Sequence, residues 1–374
     1  MPSFKFIHFI VFLGISQGIF LAIAIQVIQN KNKLANKILS LILILVSIML
    51  TGRFFYTVET NVLIFFRLAL FVDILVFVFG PLLYVYFRRL IFNEGVKYKL
   101  HYSNFIPGLG MLIYHIWTYQ YSYEEFVIMV GQGKLTLPFL IVETSGILFN
   151  FYFFYRCFQL IKTYKKEEKK NVSYPQYLVT FLTIILIIVM FFLFLWIVSY
   201  ISYYFLGIYS PIVSYNAIWI AICVFIYVIG FYSLWQPDIF RMPIPNTANI
   251  KNKERIRGKA LQDLAESLEH VMTNEKIYLN HKLTLLDLAK RLDTSANNLS
   301  WLLNNVHKSN FYDYINKYRV QEFMEKVQNG EHRNQTLLAL SLDAGFNSKS
   351  TFNKTFKAVM NDTPSNYIKK LSVI

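Results

Sequence analysis

Seven runs of apolar residues, each at or near the length needed to cross a bilayer, constrain this chain more than any other feature. They occupy 6–29, 38–58, 62–87, 102–120, 135–161, 177–206 and 212–235. A helix rises ~1.5 Å per residue, so about 20 mainly apolar residues are needed to match ~30 Å of hydrocarbon. Charge is correspondingly scarce: 16% of the residues are charged, where a soluble globular protein carries about 25%. Residues 1–235 are therefore expected to form a seven-helix transmembrane domain. The first run exceeds the ~7–15 apolar residues of a secretory signal and has no small-x-small cleavage site after it, so it is expected to remain as a helix.

The charges between the runs set an orientation. Lys31, Lys33, Lys37, Arg88, Arg89, Lys97, Lys99, Arg156, Lys162, Lys165, Lys166, Lys169 and Lys170 fall on one side. That makes thirteen basic residues there, against Lys5, Arg53 and Lys134 on the other. Cytoplasmic loops are the ones enriched in lysine and arginine. The expectation is a multi-pass protein of the inner (cytoplasmic) membrane, with its N-terminus outside and, after seven crossings, its C-terminus in the cytoplasm. Inside the runs lie Arg53, Arg67, Asp73 and Glu143. Ionisable groups in hydrocarbon are costly and point to function by default, although pairing between helices or snorkelling also accounts for them. Arg67, Asp73 and Glu143 are the candidate ligand-sensing residues. Arg67 and Asp73 are six apart and do not share a helix face.

After the seventh run the chain changes character. Residues 236–254 contain three prolines and no apolar period, and read as a linker. The domain 255–374 opens with a helix over about 255–273, whose apolar face is Ile256, Leu261, Leu264, Leu268 and Val271. Thr284 with Asp287 suits a capping box for a short helix with Leu285, Leu288, Ala289 and Leu292 on its core face. Asp293–Thr294 makes a turn, and Ser295 caps a second helix from Ala296 to about Val306. A longer helix, 311–328, stops at Asn329–Gly330. Thr336 then caps a helix with Leu337, Leu340 and Ala344 inward, and Gly345 reverses the chain. Ser348 caps the next helix, expected to bury Phe352, Phe356 and Val359 and to present Lys349, Asn353, Lys354 and Lys357. Pro364 suits the first turn of a last helix. A helix apolar on one side and amide-plus-lysine on the other can rest on a core and face a DNA major groove. A plain surface bundle with solvated lysines is the alternative.

Leu337 to Lys370 resembles the second helix-turn-helix of the AraC family of transcription regulators. The residues that carry the likeness are Gly345–Phe346, Ser348, Ser350, Phe352, Phe356–Lys357, Thr363–Pro364 and Tyr367. Asn361 stands where the family usually has glycine, and asparagine also tolerates left-handed backbone. Residues 284–316 resemble the first motif of that family, through Leu288–Ala289, Leu299–Ser300, Phe311 and Tyr314–Ile315–Asn316. The resemblance covers about 255–370. It implies that Asn297, Asn298, Ser300 and Trp301 face DNA in the first motif. In the second it implies Ser348, Lys349, Ser350, Thr351, Asn353, Lys354 and Lys357. The first recognition helix has no arginine or lysine before Lys308, so bidentate guanine readout is absent there. At ~1.5 Å per residue the 311–328 helix spans about 27 Å, and the groove repeats about every 34 Å. One chain could therefore read two successive half-turns. The N-terminal part looks like the seven-span modules that precede such domains in some bacterial regulators, through Gly14–Gly18, Gly80–Tyr84 and His101–Pro107. The glycine pair of Gly14 and Gly18 also allows close helix packing.

The fold class expected is all-α: a seven-helix membrane bundle followed by a cytoplasmic helical domain with two helix-turn-helix motifs. The function expected is a membrane-anchored, sequence-specific transcription regulator that couples an envelope or membrane signal to promoter binding. Its partners would be double-stranded promoter DNA, the lipid bilayer, an unidentified small-molecule or envelope ligand and, as one option, a second copy in a homodimer. No cofactor or metal is expected, since the seven histidines are scattered and Cys157 and Cys223 fall in apolar runs. No Walker loop, nucleophile elbow or histidine-kinase segment marks an enzyme. A retinal protein needs a lysine in its last span, and none lies between Lys170 and Lys251. The competing class is a transporter, or a receptor whose helical tail binds protein rather than DNA. A transporter would pair broken helices across its halves, and Gly80–Pro81 has no convincing counterpart later.

Overall fold

The α-helices among the described residues begin mainly where a cap or a turn in the sequence allows a start, or where an apolar run begins. The computed structural model describes residues 6–28, 33–57, 67, 71–92, 101–174, 177–208, 215–235 and 258–371. No strand occurs among them. They fall into two compact units, Met1–Ile161 with Thr180–Asn246, and Lys162–Val179 with Thr247–Ile374.

In the first unit, α1 is Phe6–Ile28 and α2 is Lys33–Thr57. A 3₁₀ turn, Val72–Leu75, leads into α3, Val76–Ile91. A second 3₁₀ turn, Tyr102–Phe105, leads into α4, Ile106–Thr118. Then come α5, Tyr123–Gly131, and α6, Thr136–Asn171. α7 is Tyr177–Ile201, extended by a π-turn over Ser202–Leu206, and α8 is Tyr215–Trp235. Five segments are long and apolar enough to cross a membrane: Phe6–Val27, Leu34–Phe55, Val72–Ile91, Thr136–Asn171 and Leu178–Leu206. Ala217–Gly230 is a shorter apolar helix. The expected run over 102–120 is shorter still, because α4 holds 13 residues. With its 3₁₀ turn it reaches about 28 Å at ~1.5 and ~2.0 Å per residue. Of the third expected run, Arg67 and Phe71 are helical ahead of the 3₁₀ turn, and 58–66 and 68–70 lie outside the described residues.

Close approach in this unit uses the glycine pair. A Cβ at Gly14 would stand 2.5 Å from Cys223 Sγ, and one at Gly18 would collide with Ser47 Oγ. Small residues at such crossings let backbones meet without side chains between them. Pro138 sits in the first turn of α6, where its missing N–H costs nothing, whereas Pro81 lies inside α3.

The second unit contains α9, Lys259–Thr273; α10, Leu285–Arg291; α11, Ala296–Asn305; and α12, Phe311–Gln328. It continues with α13, Leu337–Asp343; α14, Lys349–Met360; and α15, Pro364–Leu371. Helix α9 starts at Lys259, after Gly258, rather than near 255, and Ile256 lies outside the described residues. Side chains of Thr284, Ser295, Asn310, Thr336 and Ser348 each accept an N–H of the helix they open. At Thr284 the capping box with Asp287 is complete.

Two apolar cores form, and α12 serves both. Leu264, Leu268, Leu288, Leu299, Leu302 and Ile315 belong to the first. Val320, Phe323, Leu340, Phe346, Phe352 and Phe356 belong to the second. Phe323 stacks 4.5 Å from Phe352 and 5.7 Å from Phe356, distances at which ring pairs add to plain burial. Val359 is 39% exposed, contrary to its expected burial. The inward stripe of α14 runs through Thr355, Phe356 and Met360 instead, which leaves Val359 at its edge.

Arg319 sits between the two cores and is 1% exposed. Its five donors meet five neutral oxygens. Nε donates to Tyr278 O at 2.7 Å, Nη1 to Ser173 O at 3.0 Å and Asn316 Oδ1 at 3.1 Å. Nη2 donates to Ser173 Oγ at 3.1 Å and Asn280 O at 2.7 Å. Burial pushes the guanidinium down to about 10, so it stays charged at neutral pH. Ser173 belongs to the 162–179 segment and is itself fully buried. Its N–H and hydroxyl both donate to Leu283 O, and Val172 forms an antiparallel bridge with Thr284. Tyr164 and Glu168 at the end of α6 are buried, and Lys169 Nζ lies 5.5 Å from the Tyr312 ring centre.

Candidate nucleic-acid interface

Helix α14 has the chemistry of a groove-facing helix. Lys349, Ser350, Asn353, Lys354 and Lys357 are all exposed, while Phe352 and Phe356 on the opposite side are buried. No acidic residue occurs within it. Lys349 and Ser350 stand in its first turn, where free N–H groups and the helix dipole favour an anion such as phosphate. Two expected contacts are drawn inward. Thr351 is 5% exposed, and its hydroxyl oxygen accepts from Ser348 Oγ at 2.9 Å. Ser348 is half-buried and spends its oxygen as the cap, accepting from Thr351 N. Both residues position the helix rather than present themselves.

Helix α11 is different. Asn297 is exposed, and Asn298, Ser300 and Trp301 are half-buried. The helix carries no charge at all. Asn304 Nδ2 donates to Ser300 O at 2.7 Å and to Ser300 Oγ at 3.2 Å, so the serine hydroxyl is already engaged. Amides on an uncharged helix suit base edges or phosphate oxygens at neutral cost, and they lend little long-range attraction.

A turn packed against backbone fixes α13 and α14 relative to the first core. Gly345 has φ +93°, and a Cβ there would lie 2.5 Å from Tyr278 O, 2.9 Å from Leu279 Cα and 3.1 Å from Arg319 Nε. Nearby, Glu322 accepts from Lys276 Nζ at 2.7 Å and Tyr278 Oη at 2.8 Å. Burial works to raise the Glu322 carboxyl, but these two hydrogen bonds outweigh it and hold the group below the usual carboxylate range. A carboxyl whose folded pKa is depressed gives its full stability above the unfolded value of ~4.3 and loses it as pH falls through the folded value. The unfolding midpoint of the second unit should therefore hold steady near neutrality and decline below about pH 4.3. Glu322→Gln should flatten part of that decline in a calorimetric pH series.

Residues 288–370 match the family model described as a helix-turn-helix domain. This supports an AraC-family DNA-binding domain in that part of the chain. No curated protein and no solved structure matches the chain. The match supports a DNA-binding transcription regulator, a class that is generally non-enzymatic.

Arg53, Arg67, Asp73 and Glu143, the ionisable residues inside the apolar runs, separate into two places. Arg67 Nη2 donates to Tyr121 O at 3.0 Å, and its guanidinium lies 4.7 Å from the Tyr119 ring centre. Asp73 and Glu143 instead line one cavity together with Arg53. Spacing along the sequence could separate Arg67 from Asp73, but it could not bring Arg53 to them. Arg319 was also open to sequence reasoning in part: it falls four residues after Ile315 and four before Phe323, on the apolar stripe of α12.

Proposed function

We propose that this chain is a membrane-anchored, sequence-specific transcription regulator that couples an envelope or membrane signal to promoter binding. The exposed face of α14, basic and amide-bearing over a buried phenylalanine stripe, carries the reading. Lys349, Ser350, Asn353, Lys354 and Lys357 take the contacts to bases and phosphates of double-stranded DNA, and Asn297 with Asn298, Ser300 and Trp301 reads a second stretch. The apolar helices anchor the chain as a seven-span bundle, with the N-terminus outside and the DNA-binding domain in the cytoplasm. The thirteen-to-three distribution of basic residues supports that orientation.

Coupling works by population shift: a signal favours one helix packing, and the DNA-binding domain follows. Two features support a route. Helix α6 is continuous from Thr136 to Asn171. Residues 162–179 belong to the unit that also holds α9–α15, and Ser173 supplies two of the acceptors of Arg319.

Genome-wide DNA crosslinking of the full-length protein should enrich a few promoters. On such a promoter, Lys354→Ala should weaken binding by about 1–3 kcal/mol and reduce the salt slope by ~1. Unchanged affinity and slope in a footprinting titration would sink the assignment of α14, and absence of any enriched promoter would favour a receptor or transporter.

A further inference from the structure

We infer that the membrane unit holds a binding site for a single-chain lipophilic amine, seated with its ammonium head among Asp73, Glu143 and His115. The inference rests on the sensor reading above and names the chemistry of what is sensed.

A cavity of about 620 Å³ lies within the first unit, lined by helices α2 to α8. Small-molecule sites commonly measure ~300–1,000 Å³. Its lining divides by polarity along the helices. Arg53, Asp73, Glu143, Trp196 and Trp219 line it, and Leu39, Leu83, Phe153 and Ile229 line it too, each ten or more residues, about 15 Å or more, from the polar residue of its own segment. Helix α6 gives the scale. Glu143 and Phe154 both face the cavity, and their eleven-residue separation is about 16 Å at ~1.5 Å per residue. That is the shape of an amphiphile with one polar head and one extended apolar body.

The head is defined by charge and by hydrogen bonding. Among the described residues lining the cavity, Asp73 and Glu143 are acidic and Arg53 is the one basic side chain besides His115. The Arg53 guanidinium lies 5.6 Å from the Trp219 ring centre, and the charges of Arg53 and Glu143 both reach Asp73. Glu143 accepts from Tyr204 Oη at 3.1 Å and Trp196 Nε1 at 3.5 Å. The π-turn of 202–206 carries Tyr204, and such turns recur at functional sites. Indole faces beside a surplus carboxylate favour a cationic nitrogen. His115 supplies a second, independent sign. It is 3% exposed, lines the cavity, and its Nε2 has no hydrogen-bond partner among the described residues; Tyr114 Oη is in the same position. Buried polar atoms are rarely left so. An ammonium donates three hydrogen bonds and can satisfy Nε2, a phenol oxygen and a carboxylate together.

The test uses full-length protein in phosphatidylcholine nanodiscs and a dodecylamine carrying a photoreactive diazirine. Labelling should saturate and map to the stretches around Glu143, Trp196 and Trp219. Unlabelled dodecylamine should compete at least tenfold better than dodecanol or dodecanoate. Glu143→Gln should weaken that competition about tenfold, and Val189→Trp, which adds bulk at a residue lining the cavity, should abolish saturable labelling. Labelling that rises without saturation on lipid-facing residues, or equal competition by the alcohol or the acid, overturns the proposal. A promoter footprint of the same preparation is read in parallel. A footprint without saturable labelling removes the amine site and leaves the regulator standing, whereas saturable labelling without a footprint removes the regulator reading instead.

Discussion

Arg319→Ala should lower the unfolding midpoint of the second unit by roughly 10 °C. The substitution deletes all five guanidinium hydrogen bonds at once. It strands the carbonyl of Tyr278 in a site that is 1% exposed, while Ser173 O keeps Asn316 Nδ2 and Asn280 O keeps Leu283 N as donors. Each buried acceptor without a donor costs about 1–3 kcal/mol, and an emptied volume adds to that. Loss of a buried cation returns part of the sum, since no carboxylate is among its hydrogen-bond partners and its desolvation is no longer incurred. A net of ~3 kcal/mol corresponds to about 10 °C for a domain of this size. Arg319→Met separates the causes. It refills most of the volume and donates nothing, so a result close to alanine assigns the effect to the lost hydrogen bonds, above all that to Tyr278 O. Scanning calorimetry of the full-length protein, with hydrogen exchange at 278–283 to assign the transition, provides the measurement. A fall below about 3 °C would contradict the account of the buried arginine.

Gly345→Ala should be nearly as damaging, for unrelated reasons. At φ +93° a side chain costs ~1–2 kcal/mol through the clash of Cβ with its own backbone. The added Cβ also meets Tyr278 O at 2.5 Å and Leu279 Cα at 2.9 Å, which are backbone atoms with no rotamer to escape into. Overpacking of that kind costs about 1–3 kcal/mol more. Gly330 is the internal control: its φ is +82°, yet nothing lies within 4 Å of where its Cβ would be. Gly330→Ala should cost only the conformational part, ~1–2 kcal/mol. Equal losses at the two positions, measured by denaturant titration of the full-length protein, would show that the Tyr278 contact is not the cause.

The local signals in the sequence are legible where the chain decides its own shape. Thr284, Ser295, Thr336 and Ser348 each open the helix that their oxygens suggested, and α12 has the bounds Phe311–Gln328 expected of it. What failed locally failed by a fraction of a turn: Thr351 turns inward and Val359 outward because the stripe of α14 is set by Phe352, Phe356 and Met360. Non-local features were not legible. Ser173 lies 146 residues from Arg319, just past the lysine-rich end of α6, where nothing in the pattern marks it. The convergence of Arg53, Asp73 and Glu143 depends on how the helices assemble, which no spacing encodes. Lengths also misled at α4, where a 3₁₀ turn takes up residues that the apolar pattern had given to one helix.

The buried contact between Ser173 and Arg319 bears on how the protein is made. Two stretches of one folded unit, 162–179 and 247–374, are separated in the chain by α7 and α8. Ser173 is synthesised 146 residues before Arg319. The first part of the cluster must therefore wait for most of the remaining chain, and the core of the second unit can close only late in synthesis. Contacts of such long sequence separation are the slow ones to form, because loop-closure entropy is spent before they reward it. The stretch 162–179 is thus the part of the second unit left longest without its partners as the chain emerges.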